Sequence, residues 1–302
     1  MTLSNAAEEE ALHKSLTELQ PLDAANAESV LREAKQIMDG LGVVFFLRQG
    51  TCLGAIRDSR FIPWDDDVDI GSVIGLHGLT EGSIDRVVAA FRDRGFISQV
   101  QHNVHDIYVP LVKSSVRIDW NCSWIFDDST FHYPGVRIPV RVFTELKEID
   151  FVGEKFLVPN PPEAYLRFKY GADWMTPNNT SYVKDVVQMI PEAPLPGYAG
   201  GLRQSLTTHV LPWRTARLRV LDHEGEPVSG AEVVTVGLGR FRTNKQGYAK
   251  LYLPRDWFYA LIIRYDNHEE VLYEEQMRPG GSYVYRPDPS SPLGRLLVLS
   301  PV

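Results

Sequence analysis

Apolar residues in the first half of the chain follow a pattern that alternates between helices and short strands. Residues 23–41 place apolar side chains three or four positions apart, which predicts a helix with Asp23 as its cap and a stop at Gly42. The order of elements predicts an α+β domain in which helices pack on a mixed sheet. The further predicted elements are strands at 43–47, 68–70, 96–101, 107–112 and 116–120, and helices at 52–57, 84–94 and 162–170.

From residue 216 onward, apolar and polar residues alternate as they do in β-strands, and turn residues such as Ser229-Gly230 and Asp266-Asn267 recur at short intervals. This pattern predicts a small antiparallel β-sandwich followed by a C-terminal tail, over residues 216–302. The preceding stretch, 176–215, is rich in proline and glycine. This composition predicts a linker or an irregular segment that wraps over the first domain. The first domain therefore covers residues 1–175.

The distribution of charge excludes a general nucleic-acid binder. The net charge is −8, and all of it falls on residues 1–215, with 20 Lys and Arg against 28 Asp and Glu. The N-terminus resembles no signal peptide, and no apolar run is long enough to span a membrane. Two cysteines, Cys52 and Cys122, fit buried thiols in a reducing compartment. We therefore expect a cytoplasmic protein, or one peripheral to the inner face of the membrane.

Four carboxylates within five positions, at Asp65, Asp66, Asp67 and Asp69, carry the first chemical signal. Their mutual repulsion requires a counter-charge, and a divalent cation is the usual one. Residues two apart on a strand share a face, so Asp67 and Asp69 would point at the same ion. A similar strand contains Asp119, which would complete a site for Mg²⁺ or Mn²⁺, since both ions prefer oxygen ligands.

A second signal lies at Gly50-Thr51, between a predicted strand and a predicted helix. Glycine lets a ligand approach the backbone, and free amides at a helix start favour phosphate, so this turn is a candidate diphosphate site. Arg57 and Arg117 are candidate partners for phosphate charge. A phosphate-binding turn beside acidic strands indicates metal-assisted phosphoryl or nucleotidyl transfer.

The order Gly50-Thr51, Asp67-Val-Asp69 and Asp119 resembles the nucleotidyltransferase-fold superfamily. The longer motifs at 50–57, 61–70 and 162–177 look like the LicD or fukutin-like family. That resemblance implies transfer of a phospho-alcohol, of the phosphocholine or polyol-phosphate type, from a CDP-activated donor to a hydroxyl of a cell-surface glycan, with release of CMP, as in lipopolysaccharide or capsule synthesis. It implies the following roles: Asp67, Asp69 and Asp119 as metal ligands, Asp65 as a further ligand or the base, and Gly50 and Thr51 as donor diphosphate ligands.

Several alternatives stay open on the sequence. Paired carboxylates also suit a glycosyltransferase that uses a nucleotide sugar, and a true nucleotidyltransferase would move the nucleotide itself. The C-terminal segment resembles carboxypeptidase regulatory-like or transthyretin-like domains in its motifs at 220–231 and 243–247. This domain could pack, bind a glycan or form a homo-oligomer, and a glycan-binding scaffold is the non-enzyme alternative.

Overall fold

The computed structural model describes residues 3–17, 20–132, 135–177, 214–287 and 295–298. The chain divides into two compact units. The first comprises residues 1–132 and 137–177, and the second comprises residues 133–136 and the C-terminal part from residue 178. The predicted linker at 176–215 falls almost entirely outside the described residues, as does most of the predicted tail.

The first unit contains five α-helices and ten strands, among the described residues, together with one short 3₁₀ helix at Val140–Phe143. The helices are α1 (Leu3–Thr17), α2 (Ala24–Gly40), α3 (Gln49–Arg57), α4 (Glu81–Asp93) and α5 (Pro162–Tyr170). The strands are β1 (Phe46–Leu47), β2 (Val68–Val73), β3 (Ile97–Ser98), β4 (Gln101–His102), β5 (Asp106–Lys113), β6 (Val116–Ser123), β7 (Ser129–His132), β8 (Val136–Pro139), β9 (Lys147–Phe151) and β10 (Glu154–Val158).

A six-stranded mixed sheet forms the centre of this unit, in the order β1-β2-β6-β5-β3, with β4 also paired to β5. The pair of β2 and β6 is parallel, whereas the other pairs are antiparallel. One face of β2 and β6 is apolar, because Val68, Ile70, Ile118 and Trp120 are fully buried. The opposite face at this end of the two strands is left for polar side chains.

The α+β class is confirmed, and the helix at 162–170 has the predicted bounds. The helix predicted at 52–57 begins earlier, at Gln49, so Gly50 and Thr51 lie in its first turn rather than before it. The strand predicted at 43–47 covers only Phe46–Leu47, and the strand at 96–101 is split into β3 and β4. The helix α1 had no sequence prediction because its apolar residues follow no helical period.

The second unit contains two four-stranded sheets among its described residues. Side chains from both sheets, among them Leu218, Leu251, Leu261 and Ile263, share one buried cluster. The strands Thr215–Val220 and Ser282–Arg286 pair in parallel, which differs from the all-antiparallel prediction. The strands are β11 (Thr215–Val220), β12 (Glu232–Thr235), β13 (Gly239–Arg242), β14 (Tyr248–Tyr252), β15 (Trp257–Tyr265), β16 (His268–Met277), β17 (Ser282–Arg286) and β18 (Arg295–Val298). Its resemblance to a carboxypeptidase regulatory-like domain stays a prediction.

Both cysteines are free and buried, Cys52 in α3 and Cys122 in β6. Burial raises the pKa of each thiol, so neither is a ready nucleophile. Within the described part of the chain, no helix has the length and apolar character that a membrane span needs.

Candidate active site

The carboxylate of Asp69 accepts two hydrogen bonds from the first turn of α3. The amide of Gly50 donates to Asp69 Oδ2 at 3.0 Å, and Gln49 Nε2 donates to Asp69 Oδ1 at 2.8 Å. The backbone amide of Asp69 in turn donates to the hydroxyl of Thr51 at 2.8 Å. A helix N-terminus favours an anion, and here the protein supplies that anion itself.

A contact from α5 fixes the same turn. The amide of Gln49 donates to the hydroxyl oxygen of Tyr165 at 3.0 Å, and Tyr165 is fully buried. Gln49 has a φ of +41°, which few residues other than glycine adopt. Its contacts to Tyr165 and Asp69 therefore hold an unfavourable backbone conformation at the edge of the site.

Parallel pairing of β2 and β6 brings together acids that are fifty residues apart in sequence. Asp69 lies directly opposite Asp119, and Val68 lies opposite Ile118. Because alternate residues of a strand share a face, Arg117 and Asp119 project together from β6. Asp67 immediately precedes β2 and lies beside Arg117. Three carboxylates and one guanidinium therefore share one face of this strand pair.

Arg117 holds a central position in this group. Its Nη2 lies 2.6 Å from Asp67 Oδ2 and 3.0 Å from Asp66 Oδ2. Its Nε lies 3.0 Å from Asp119 Oδ1, an ion pair whose angles do not make a hydrogen bond. Its Nη1 donates to the backbone carbonyl of Ser15 in α1. The side chain is 7% exposed, so these contacts are largely shielded from water.

Asp65 lies against Gly50 and interacts with the neighbouring carboxylates. A Cβ added at Gly50 would lie 2.2 Å from Asp65 Oδ2. A side chain at this position would therefore displace the carboxylate of Asp65. The carbonyl of Asp65 also accepts a hydrogen bond from the amide of Leu22 at 2.8 Å, which ties the acidic segment to the chain before α2.

Burial and mutual repulsion raise the pKa values of these acids. Burial is the main cause at Asp65, where it and the neighbouring carboxylates raise the pKa to about 9. Burial and Asp67 raise the pKa of Asp69 to about 7. Burial, followed by Asp119, raises the pKa of Asp67 well above its usual range, and burial also raises the pKa of Asp119. A site with these properties has too little positive charge for its carboxylates.

Two buried cationic side chains interact with Asp69, and the sequence prediction gave neither of them a catalytic or binding role. Arg48 is 3% exposed and Lys169 is 1% exposed, and both lower the pKa of Asp69 against the effect of burial. Arg48 directly precedes the Gln49-Gly50 turn, and Lys169 lies in the motif at 162–177, but neither position reveals burial by itself. Tyr108, whose hydroxyl donates to Asp119 Oδ1 at 2.8 Å, was also missed because only the β5–β6 pairing brings it there.

The structure does not bring every predicted residue to this group. Arg57 ends α3, about 10 Å along the helix from Gly50, and its guanidinium pairs with Asp58 at 2.7 Å. The hydroxyl of Thr51 is buried and accepts a hydrogen bond from the backbone of Asp69. The anion on the amide of Gly50 is Asp69, so the predicted diphosphate contacts of Gly50, Thr51 and Arg57 stay predictions.

The chemistry and the charge of the group fit a divalent cation. Five carboxylates, those of residues 65, 66, 67, 69 and 119, face three cations, Arg48, Arg117 and Lys169, which leaves a formal excess of two negative charges. An all-oxygen donor set suits Mg²⁺ or Mn²⁺. Within the described ranges, however, no three His, Cys, Asp or Glu side chains are grouped closely enough to hold a metal. In their present orientation, the carboxylates of Asp67 and Asp119 both form ion pairs with the guanidinium of Arg117.

A mixed sheet with acids on two neighbouring strands, beside a helix N-terminus, is the arrangement expected of a nucleotidyltransferase-type domain. Residues 42–161 match the family model described as LicD/FKTN/FKRP, nucleotidyltransferase domain. This segment therefore carries a domain of that family, and the resemblance predicted from the motifs is confirmed for it. The match includes the first turn of α3, both acidic strands and Arg117.

Curated relatives agree with this assignment. The human protein named ribitol-5-phosphate transferase FKTN is 27% identical over 169 residues, which cover 51% of this chain and 34% of that protein. The mouse ribitol 5-phosphate transferase FKRP is 28% identical over 153 residues, which cover 45% of this chain and 29% of that protein. The chain thus spans about a third of the length of the relatives it matches.

Proposed function

We propose that the first unit is a metal-dependent phosphotransferase. It would move a phospho-alcohol, of the phosphocholine or polyol-phosphate type, from a CDP-activated donor to a glycan hydroxyl and release CMP. The observation that carries this proposal is the parallel register of Asp69 and Asp119, which joins the acids of two strands beside the first turn of α3. The family match over residues 42–161 and the names of the relatives support the type of group transferred.

The carboxylates at Asp67, Asp69 and Asp119 would hold the cation, Mg²⁺ or Mn²⁺. When bound, the cation would neutralise the donor diphosphate and stabilise the charge that develops on the leaving CMP. In the reaction, the acceptor hydroxyl oxygen forms a bond to the phosphorus that bears the alcohol, and the bond from that phosphorus to the oxygen of CMP breaks. The leaving CMP keeps the electron pair of that bond.

Asp65 is the proposed acceptor of the hydroxyl proton, because it stands at the rim of the acid group and is partly exposed. With a pKa of about 9, it would hold its own proton at neutral pH in the cation-free protein. Positive charge nearby lowers the pKa of a carboxyl, so Asp65 becomes a base only when the site is loaded. A positioned carboxylate base contributes about 10²–10⁴-fold to rate.

The test is release of CMP by the purified full chain, with Mg²⁺, with CDP-ribitol or CDP-choline as donor, and with a panel of oligosaccharides as acceptors. We expect Asp67→Asn and Asp69→Asn to lose at least about 10²-fold in kcat/KM, the scale of losing one preorganised electrostatic contact. Asp150→Asn is the matched control, since Asp150 is exposed and pairs only with Lys155 among its described contacts. Full activity in both site variants would reject the proposal.

The same preparation separates this proposal from its enzyme alternatives. A nucleotide sugar offered as donor tests the hypothesis that the protein is a glycosyltransferase. Label on the phosphorus next to cytidine tests nucleotidyl transfer, because in that reaction the label ends on the acceptor. In the proposed reaction the label leaves with CMP.

A further inference from the structure

Arg117 makes contacts that a phosphate-binding residue awaiting its substrate would not make. Its Nη2 and Nε face Asp66, Asp67 and Asp119 at 2.6–3.0 Å, and the side chain is 7% exposed. Asp67 and Asp119 are two of the three carboxylates proposed for the divalent cation. The guanidinium therefore already lies against one oxygen of each, Asp67 Oδ2 and Asp119 Oδ1.

We infer that Arg117 is an internal counter-cation, which the divalent ion displaces from Asp67 and Asp119, and that this displacement breaks the hydrogen bond between Arg117 and α1. The inference rests on the proposed function, because it assumes that the acids bind a divalent ion. It adds two statements that the proposed function does not require. Arg117 competes with the ion for the carboxylates, and binding of the ion removes a hydrogen bond from α1.

The distances make simultaneous occupation unfavourable. A Mg²⁺ ion binds carboxylate oxygen at 2.0–2.1 Å, and Arg117 Nη2 is already 2.6 Å from Asp67 Oδ2. An ion on that oxygen would lie within a few ångströms of the guanidinium, where two positive charges in a partly buried site repel strongly. An ion that binds the oxygens facing Arg117, Asp67 Oδ2 and Asp119 Oδ1, therefore requires the guanidinium to withdraw.

Withdrawal of Arg117 has a consequence for α1. The Nη1 of Arg117 donates to the carbonyl of Ser15, two residues before the end of this helix. Ser15 is held locally by its hydroxyl, which donates to the carbonyl of Leu12 at 2.7 Å, and Leu12 is buried. When the guanidinium leaves, α1 loses a charged hydrogen bond that connects it to β6. The released guanidinium is then available for the phosphate groups of a donor.

The first experiment measures Mn²⁺ binding by calorimetry on the full chain, without substrate. We expect Arg117→Gln to bind Mn²⁺ about tenfold or more tightly than the wild-type protein, because a competing charge is gone. Arg117→Lys keeps the charge but cannot bridge the same partners, so its affinity should lie between the two. The matched control is Arg32→Gln, since Arg32 also donates to a backbone carbonyl, of Val152, and pairs with Glu28; its affinity for Mn²⁺ should stay within twofold of wild type.

The second experiment uses the wild-type chain, so it does not depend on the folding of a variant. Hydrogen exchange is followed in the peptide that covers α1, with and without saturating Mn²⁺. We expect exchange near Ser15 to become several-fold faster with Mn²⁺, while exchange in α2 stays unchanged. Mg²⁺ should give the same result, which separates loading of the site from an effect of manganese alone.

The outcomes separate the inference about Arg117 from the proposed metal-dependent function. If Mn²⁺ binds but Arg117→Gln has wild-type affinity, or exchange in α1 does not respond, then Arg117 stays in place and the inference is rejected while the proposed function stands. If neither the wild-type protein nor Arg117→Gln binds Mn²⁺ or Mg²⁺, the inference falls together with the metal-dependent function.

Discussion

Replacing Gly50 by alanine tests whether the position of Asp65 matters to the reaction. The new methyl group would lie 2.2 Å from Asp65 Oδ2, 3.1 Å from its Cγ and 3.4 Å from Oδ1. An ordinary contact between a methyl carbon and oxygen is about 3.4 Å, so the carboxylate must move by roughly 1 Å. A displacement of this size at a reacting group can cost about 10²-fold in rate.

The effect on stability should be small, because two contributions oppose each other. Alanine in a helix is favoured over glycine by up to about 1 kcal/mol, and the displaced group is the end of a side chain rather than backbone. We therefore expect Gly50→Ala to unfold in urea within about 1 kcal/mol of the wild type and to lose about 10²-fold in kcat/KM for CMP release. The loss should appear in kcat, since the acceptor and donor still bind.

Two controls make the prediction specific. Gly82→Ala, in the first turn of α4, adds a methyl group with nothing within 4 Å, and it should leave activity unchanged with equal or slightly higher stability. In an Asp65→Ala background, Gly50→Ala should cause no further loss, because the clashing carboxylate is gone. Wild-type kcat in Gly50→Ala, or additive losses in the double variant, would refute the assigned link between these two residues.

Three further predictions concern stability and charge. Thr51→Val should lower the free energy of unfolding by about 1–3 kcal/mol in urea denaturation, because the buried amide of Asp69 loses its acceptor; an unchanged value would contradict this role. Tyr108→Phe removes the hydrogen bond to Asp119 and should lower kcat/KM about tenfold without abolishing folding, as measured by CMP release and circular dichroism. The raised pKa values of Asp65 (about 9) and Asp69 (about 7) mean that the folded chain binds protons that the unfolded chain has released above about pH 4. Without divalent cations, the free energy of unfolding should therefore fall as pH rises from about 4 to about 9. A rise over this range would contradict the raised pKa values of Asp65 and Asp69.

The acidic strands were predictable because their signal is local. The two-residue spacing of Asp67 and Asp69, and the apolar neighbours of Asp119, fix which side of each strand carries the acids. The parallel register that sets Asp69 opposite Asp119 is a property of the sheet, and a single sequence supports it only through the family resemblance. The resemblance was therefore what joined two local patterns into one site.

The cationic residues were less predictable because burial and pairing decide their roles. Arg117 was assigned to phosphate from its place on the acidic strand, whereas in the structure it pairs with Asp67 and Asp119. Lys169 becomes buried because α5 packs against α3, a contact between segments more than a hundred residues apart. Arg57 satisfies its charge with the adjacent Asp58, which local sequence alone does not distinguish from a free arginine.

In the proposed reaction, a phospho-alcohol leaves a CDP-activated donor at the acids of β2 and β6. Phosphorus NMR identifies the products of this step, from full chain incubated with Mg²⁺, CDP-ribitol and an oligosaccharide acceptor. We expect a growing signal of CMP together with a new phosphodiester on the oligosaccharide, both absent with Asp69→Asn. Cytidine-linked phosphate on the oligosaccharide with free ribitol phosphate in solution, or equal product with Asp69→Asn, would contradict it.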